Sequence, residues 1–430
     1  MAITWRSVAL VALGVVAVLA VPTVIVVLAW TGLVATLCAL DLALAASPRQ
    51  VGVSRSLPGS VRLTERTRST LTVTNHSPRR LRALVRDAWQ PSAGTGPNRH
   101  RFDLPPGEAR RVVTTLTPSR RGDRLADRVT IRSFGPLGLA ARQVSLKVPG
   151  RLRVLPEFAS RRHLPSRLAR LRELDGRTAV QVRGAGTEFD SLREYVIGDD
   201  VRSIDWRATA RRSEVVVRTW RPERDRRVLI VLDTARTSAA RIGDLPRIDA
   251  SIEAALLLSA LASRAGDRVD LIAYDRRTRA QVVGDTGPRL LPALADALAP
   301  LEPALMETDW PGALAAIRAR LTQRGLVVLL TALDPAAVES GLLPVVGPLA
   351  KDHMVVLASV ADPEIARLRA ARGSAADVFD AAAAERTELE RAAVTLRLRQ
   401  RGVEVVDALP DELAPRLADT YLALKAAGRL

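Results

Sequence analysis

From Val8 to Leu40 the chain carries no Asp, Glu, Lys or Arg; Leu, Val, Ala and Ile dominate, and Pro22 is the only proline. As one helix, at about 1.5 Å per residue, this stretch would run roughly 50 Å, too long for a hydrocarbon core of about 30 Å. Pro22 lacks an amide donor and clashes with the turn before it, so it offers a break. The pattern predicts a transmembrane helical hairpin over residues 1–47, with two short spans at Ile3–Val21 and Thr23–Leu40. Arg6 precedes the spans while Arg49 and Arg55 follow them. The positive-inside rule then places both ends, and the soluble part, on the cytoplasmic side of the cell membrane. A cleaved signal peptide is the competing reading, with small residues at Ala43–Ala46. Its apolar core should be only about 7–15 residues, so a retained anchor is the better account.

Charge is distributed unevenly beyond the anchor. The net charge is +18, and lysine occurs only at Lys147, Lys351 and Lys425. Residues 49–226 hold 38 Arg and Lys against 18 Asp and Glu, whereas residues 227–430 hold 25 against 27. A basic half beside a neutral one suits a domain held near anionic lipid head groups. Nucleic acid is not an expected partner, because aromatics make up only 3% and leave few stacking platforms. Cys38 is the single cysteine, which rules out an intrachain disulfide.

Residues 48–150 read as short alternating runs separated by turn formers. Ser69–Val73, Leu81–Val85, Arg111–Leu116 and Arg128–Ile131 are predicted strands; Pro58-Gly59, Pro105-Pro106-Gly107 and Arg121-Gly122-Asp123 supply turns. Such spacing predicts a small, basic β-sandwich-like module. His76 and His100 lack metal-ligand spacing and are read as surface residues.

Residues 151–226 form a signature and linker segment. Its centre runs from Gly184 to Glu223 and mixes Glu188, Asp190, Asp199, Asp200 and Asp205 with Arg193, Arg202, Arg207, Arg211 and Arg212. Gly184 and Gly186 permit a tight turn, and Asp199 or Asp200 is placed to cap a helix through Val201, Ile204 and Ala208. Glu214–Trp220 alternates like a strand. Carboxylates interleaved with arginines in this way make an ion-pair network or docking surface more readily than an acid/base pair.

This stretch resembles the signature of the bacterial family called domain of unknown function 58. The residues that carry the resemblance are Gly186, Glu188 and Phe189, then Arg193, Glu194 and Tyr195, then Gly198, Asp199 and Asp200, then Asp205 and Trp206. Arg120-Arg121-Gly122 and Ser133–Leu139 are similar to family landmarks, although Gly135 and Leu137 depart from the usual Asp-Pro-Phe-Gly-Leu. The resemblance implies a membrane protein with a von Willebrand factor A-like domain and no established enzymatic activity. It also implies a MoxR-type AAA+ ATPase as partner.

Residues 227–430 alternate strands with helices. Arg227–Asp233, Val269–Tyr274, Leu326–Leu330, Met354–Ser359 and Val403–Val406 are predicted strands, and Ile248–Arg264, Leu290–Leu298, Pro311–Arg320, Ala381–Gln400 and Asp411–Ala427 predicted helices. The pattern predicts a doubly wound, Rossmann-like parallel sheet of α/β class. Ligands of such sheets bind beyond the carboxyl ends of strands at a switch in strand order, and Asp233 lies at one such end. The resemblance implies a metal-ion-dependent adhesion site there, binding Mg²⁺ through hydroxyl and carboxylate oxygens. Asp233, Thr237 and Thr308 match its pattern, but Ala235 and Ala332 stand where further ligands belong. The site is therefore degenerate: either it binds Mg²⁺ weakly with Asp309 or Asp334 as substitute ligands, or the domain keeps the scaffold without a metal.

Enzyme motifs are absent from the sequence. No lysine follows a glycine-rich phosphate loop, and neither a Gly-x-Ser-x-Gly elbow nor a His-Glu-x-x-His helix occurs. The expectation is a membrane-anchored interaction module without catalytic activity, an adaptor for the ATPase. The alternatives are a membrane-associated enzyme using the central carboxylates and a structural envelope protein gripping anionic lipid.

Overall fold

A computed structural model of the chain describes residues 2–181, 188–212, 214–221 and 226–430. They fall into two compact units, Met1–Glu157 and Phe158–Leu430.

The first unit begins with two apolar helices, α1 (Trp5–Ala20) and α2 (Val24–Leu44), separated around Pro22. They pack on each other at Gly14, where an added Cβ would lie 2.3 Å from the Trp30 indole, and the Trp30 Nε1–H donates to the Leu10 carbonyl at 3.1 Å. Elsewhere their surfaces are apolar and exposed, at Val8, Val16, Leu19, Ile25 and Leu28 among others. The Val24–Gln50 stretch has a mean hydropathy of 2.1 and is long and apolar enough to cross a membrane; α1 is shorter.

The β-module that follows has two sheets. Val51–Ser56, Thr67–Asn75 and Ala109–Leu116 form one, in antiparallel register. The other is built around the long Gly122–Phe134 strand, which pairs with Leu81–Trp89, Ala140–Leu146 and Arg151–Leu155. Leu71, Val73 and Val112 from the first sheet share a core with Leu81, Val85, Phe102, Val129 and Ile131 from the second. Inside it, Arg55 and Asp87 form an ion pair at 2.8 Å with side chains 2% and 0% exposed, and Arg55 stacks over Trp89. The boundary expected at residue 150 lies too early: Arg151–Leu155 completes this sheet by pairing with Gly122–Leu125.

The two apolar helices and the β-module lie in the same compact unit. The Ala2–Ile3 segment adds to the edge of Ala140–Leu146, and Asp41, fully buried at the end of α2, accepts three backbone N–H groups of the 135–140 loop. Leu137 donates at 2.7 Å, Leu139 at 2.7 Å and Ala140 at 2.9 Å. Gly135 is required by this clasp, because a Cβ there would sit 2.1 Å from the Asp41 Oδ1.

The second unit holds a six-stranded sheet of β1 (Arg227–Asp233), β2 (Arg268–Tyr274), β3 (Thr278–Val282), β4 (Leu326–Leu330), β5 (Met354–Val360) and β6 (Val403–Ala408). Their order is β3-β2-β1-β4-β5-β6. All neighbours are parallel except β3, which joins the edge antiparallel after a tight turn. Continuous apolar runs make strands that are buried on both faces. Alternate residues accordingly enter different cores: Val228, Ile230 and Leu232 pack with helices Arg247–Arg264 and Pro410–Ala426, Leu229 and Val231 with Trp310–Arg320 and Leu343–Asp352. Strand order reverses between β1 and β4, so their carboxyl ends flank a crevice.

Candidate functional site at the strand-order reversal

β1 ends at Asp233, 2% exposed, and β4 ends at Leu330, paired with Leu232, so Thr331 is level with Asp233. The carboxylate of Asp233 gathers four donors. Its Oδ1 accepts the Ala235 backbone N–H at 2.9 Å and the Thr308 hydroxyl at 2.8 Å. Its Oδ2 accepts the Thr237 hydroxyl at 3.2 Å and the Thr331 hydroxyl at 2.7 Å. The three residues expected from the sequence thus converge. Thr331 joins them; sequence reasoning passed over it to look for an acid at Ala332, and its signal was a hydroxyl directly after a buried strand. Burial pushes the Asp233 carboxyl above its ordinary range, while the hydrogen bonds from Thr331, Ala235, Thr308 and Thr237 pull it back only in part.

The four bonds occupy all the lone-pair positions of one carboxylate. Asp309 and Asp334 do not join the shell, for each caps a helix: Asp309 accepts the Gly312 N–H at 3.2 Å and Asp334 the Ala337 N–H at 3.0 Å. Ala235 and Ala332 are buried and contribute no side-chain oxygen. Mg²⁺ wants near-octahedral oxygen ligands and usually takes one or two carboxylates. Here the single carboxylate is hydrogen-bonded by four protein donors, and a resident Mg²⁺ would have to displace hydroxyl hydrogens from Asp233 and complete its shell with water. Among the described residues there is also no cluster of three or more His, Cys, Asp or Glu able to hold a metal ion.

Above this cluster opens a cavity of about 260 Å³, lined by Asp233, Thr237, Thr308, Thr331, Trp310 and the 336–341 helical turn, among others. Because the three threonine hydroxyls spend their hydrogens on Asp233, they present only lone pairs to the space. Arg236 and Glu307 also line it and pair with each other at 2.7 Å. Beside Glu307, Leu305 is 84% exposed and Met306 39%.

The central signature lies apart from this cavity's lining. Glu188–Glu194 and Val216–Arg221 form an antiparallel ribbon with an irregularity between Phe189 and Ser191. Gly186 lies outside the described residues, and of Glu188 and Phe189 only the strand register is described. The helix expected through Val201, Ile204 and Ala208 is two pieces, a 3₁₀ turn at Val201–Ser203 and a helix at Trp206–Arg212, because Ile204 bridges to Val217 between them. Gly198 makes the preceding turn at φ +110°. Three of the described carboxylates here have structural partners. Asp199 pairs with Arg193 at 2.5 Å, Asp200 caps the 3₁₀ turn, and Asp205 caps the helix while pairing with Arg218 at 2.8 Å. The Arg193 hydrogen bond holds Asp199 below the usual carboxylate range, and the Ala208 N–H, with Arg218, does the same for Asp205. Glu194 is exposed, Tyr195 half-buried and Trp206 68% exposed.

A family model described as "Protein of unknown function DUF58" matches residues 191–404, from the signature ribbon into β6. The chain belongs to this DUF58 family. Curated relatives include uncharacterised proteins of Mycobacterium tuberculosis and Mycobacterium bovis, 27% identical over 35% of the DUF58 chain. The chain spans about half, 48%, of the length of those relatives. Among solved structures, the DUF58 chain is similar over 26% of its length to an Escherichia coli alpha-2-macroglobulin (18% identity, 18% of that chain, TM-score 0.21). It is similar over 24% to a FixG-related protein from Vibrio parahaemolyticus (12% identity, 96% of that chain, TM-score 0.18). Scores this low support no conclusion about the whole chain.

Proposed function

We propose that this DUF58 protein is a membrane-anchored interaction module. In this reading α1 and α2 are two short membrane spans with both ends cytoplasmic. The second unit is a von Willebrand factor A-like domain that docks a partner at the β1/β4 crevice. The observation that carries the reading is the cavity of about 260 Å³ at the reversal of strand order, floored by a buried carboxylate and lined by Arg236, Glu307 and Trp310. The family resemblance points to a MoxR-type AAA+ ATPase as the partner. Engagement is proposed to be metal-free, since the Asp233 shell is filled by the protein's own donors.

A catalytic role for the central acidic signature has less support. A general acid or base needs a carboxyl with a perturbed pKa, free to exchange its proton. Asp199 and Asp205 are instead tied to arginines and helix caps, and both are held in their ionised form.

The test is co-purification of the full chain, in detergent, with the MoxR-type ATPase of the same organism. Ala336→Arg would fill the cavity from its rim while leaving the Asp233 hydrogen bonds intact. Recovery should fall at least about tenfold, equivalent to roughly 1.4 kcal/mol of binding energy. Unchanged recovery with Ala336→Arg and with Asp233→Ala would overturn the docking face.

A further inference from the structure

The foot of the helical hairpin is ringed by arginines that hold its last turns and the loop clasping them. Arg6, exposed in the first turn of α1, donates to the Leu137 carbonyl at 3.2 Å. Arg142, half-buried, donates through Nε to the Leu42 carbonyl at 2.9 Å. Exposed Arg79 donates to the Ala43 carbonyl. These carbonyls belong to the end of α2 and to the 135–140 loop, so the three guanidiniums surround the point where the helices leave the β-module.

Among the described residues none of the three arginines has a carboxylate partner. The nearby acid, Asp41, turns both oxygens into the backbone N–H groups of Leu137, Leu139 and Ala140. A guanidinium has five donors, and one bond to a carbonyl leaves most of them to find partners. Ile3 and Trp5, at the same end of α1, are 78% and 76% exposed. Tryptophan beside arginine at the end of an apolar helix is the composition of a membrane–water interface.

We infer that Arg6, Arg79 and Arg142 form a collar that binds the phosphate groups of anionic phospholipids where the hairpin enters the bilayer. The inference rests on reading α1 and α2 as membrane-embedded. Charge complementarity and continuity with the exposed apolar helices identify the occupant. A planar fork of donors suits phosphate oxygens in pairs. Because each fork is already pinned to a carbonyl, and Asp41 pins the loop, less side-chain freedom is lost on binding. The collar would fix the depth and tilt of the β-module at the surface, beyond simply tethering it.

The experiment uses the full chain in nanodiscs of equal phosphatidylglycerol and phosphatidylcholine, with the lipids retained on release identified by native mass spectrometry. The wild type should retain phosphatidylglycerol in preference. Arg6→Gln/Arg79→Gln/Arg142→Gln should lose that preference, by roughly fivefold per arginine. A control with the same charge change on exposed strand positions, Arg82→Gln/Arg86→Gln/Arg99→Gln, should keep it, and so should addition of inorganic phosphate. Equal retention of both lipids by the wild type would overturn the collar. So would equal loss in the control, or displacement of lipid by free phosphate. Extraction of every variant by alkaline carbonate would instead overturn the membrane reading of the hairpin, which separates the two failures. Single Arg79→Gln, at an exposed position, reads the same effect should the triple variant misfold.

Discussion

His353 shows how one side chain imposes a pH dependence. It is 6% exposed between a helix and β5, and its Nδ1 is buried without a hydrogen-bond partner among the described residues. Burial pushes its pKa below the ordinary histidine value; Asp352 opposes the shift, while Arg318 and Arg324 add to it. A base with a depressed folded pKa contributes stability that is present above the unfolded pKa. That stability is lost as pH falls toward the folded value, because the unfolded chain takes up the proton first. Urea denaturation should therefore show the second unit losing stability between about pH 7 and pH 5. His353→Leu, which has no proton to take up, should flatten that slope; an unchanged slope would assign it to other groups. His100 acts in the same direction in the β-module, lowered by burial against the opposing charge of Asp87. Asp233 belongs to the same scale: without Thr331 and Thr308 its buried carboxylate would lose two of its four donors.

The elements that matter most are α2 and the loop it grips. A buried carboxylate without partners is costly, and Asp41 is tolerated at the end of an apolar helix because three backbone donors receive it. Asp41→Ala would leave those N–H groups unpaired, at about 1–3 kcal/mol for each buried donor. The expected result is faster hydrogen exchange at residues 135–140, read by mass spectrometry, with the remaining β-strands of the module still protected. Uniform exchange across the whole module would mean that Asp41 supports the fold at large rather than a local clasp. The signature ribbon is a contrasting element. Its turn leaves Ile197 96% exposed and Val201 64% exposed, while Asp199, Asp200 and Asp205 are engaged in caps and ion pairs.

At the scale of the molecule, the two units have separate cores and differ in charge. The second unit buries its own apolar residues on both faces of one sheet and owes none of its core to the hairpin. Residues 158–430 expressed alone should therefore stay in the supernatant after ultracentrifugation and unfold cooperatively. The full chain should sediment with membranes and resist carbonate extraction. A fragment that aggregates, or a full chain released by carbonate, would contradict the proposed division of labour between an anchoring unit and a recognition unit.

The α/β alternation, the break at Pro22, the β-rich module and the family signature were all legible in the residues, because each depends on local periodicity or turn chemistry. Strands of continuous apolar residues announce a buried sheet whatever surrounds them, and Asp233 followed by hydroxyl residues marked the end of β1. Long-range placement was not legible. Nothing local tells Thr331 that it will stand level with Asp233, since that follows from the register of β4 on β1. Nothing in Asp41 announces that a loop almost a hundred residues later will supply its donors, nor that Gly135 must lack a side chain to let them approach. The expected boundary at residue 150 erred for the same reason, because a strand belongs to the sheet that pairs with it. Periodicity sets what each segment becomes; hydrogen bonds between segments distant in the chain set which polar groups end up satisfied, and so which remain available to bind.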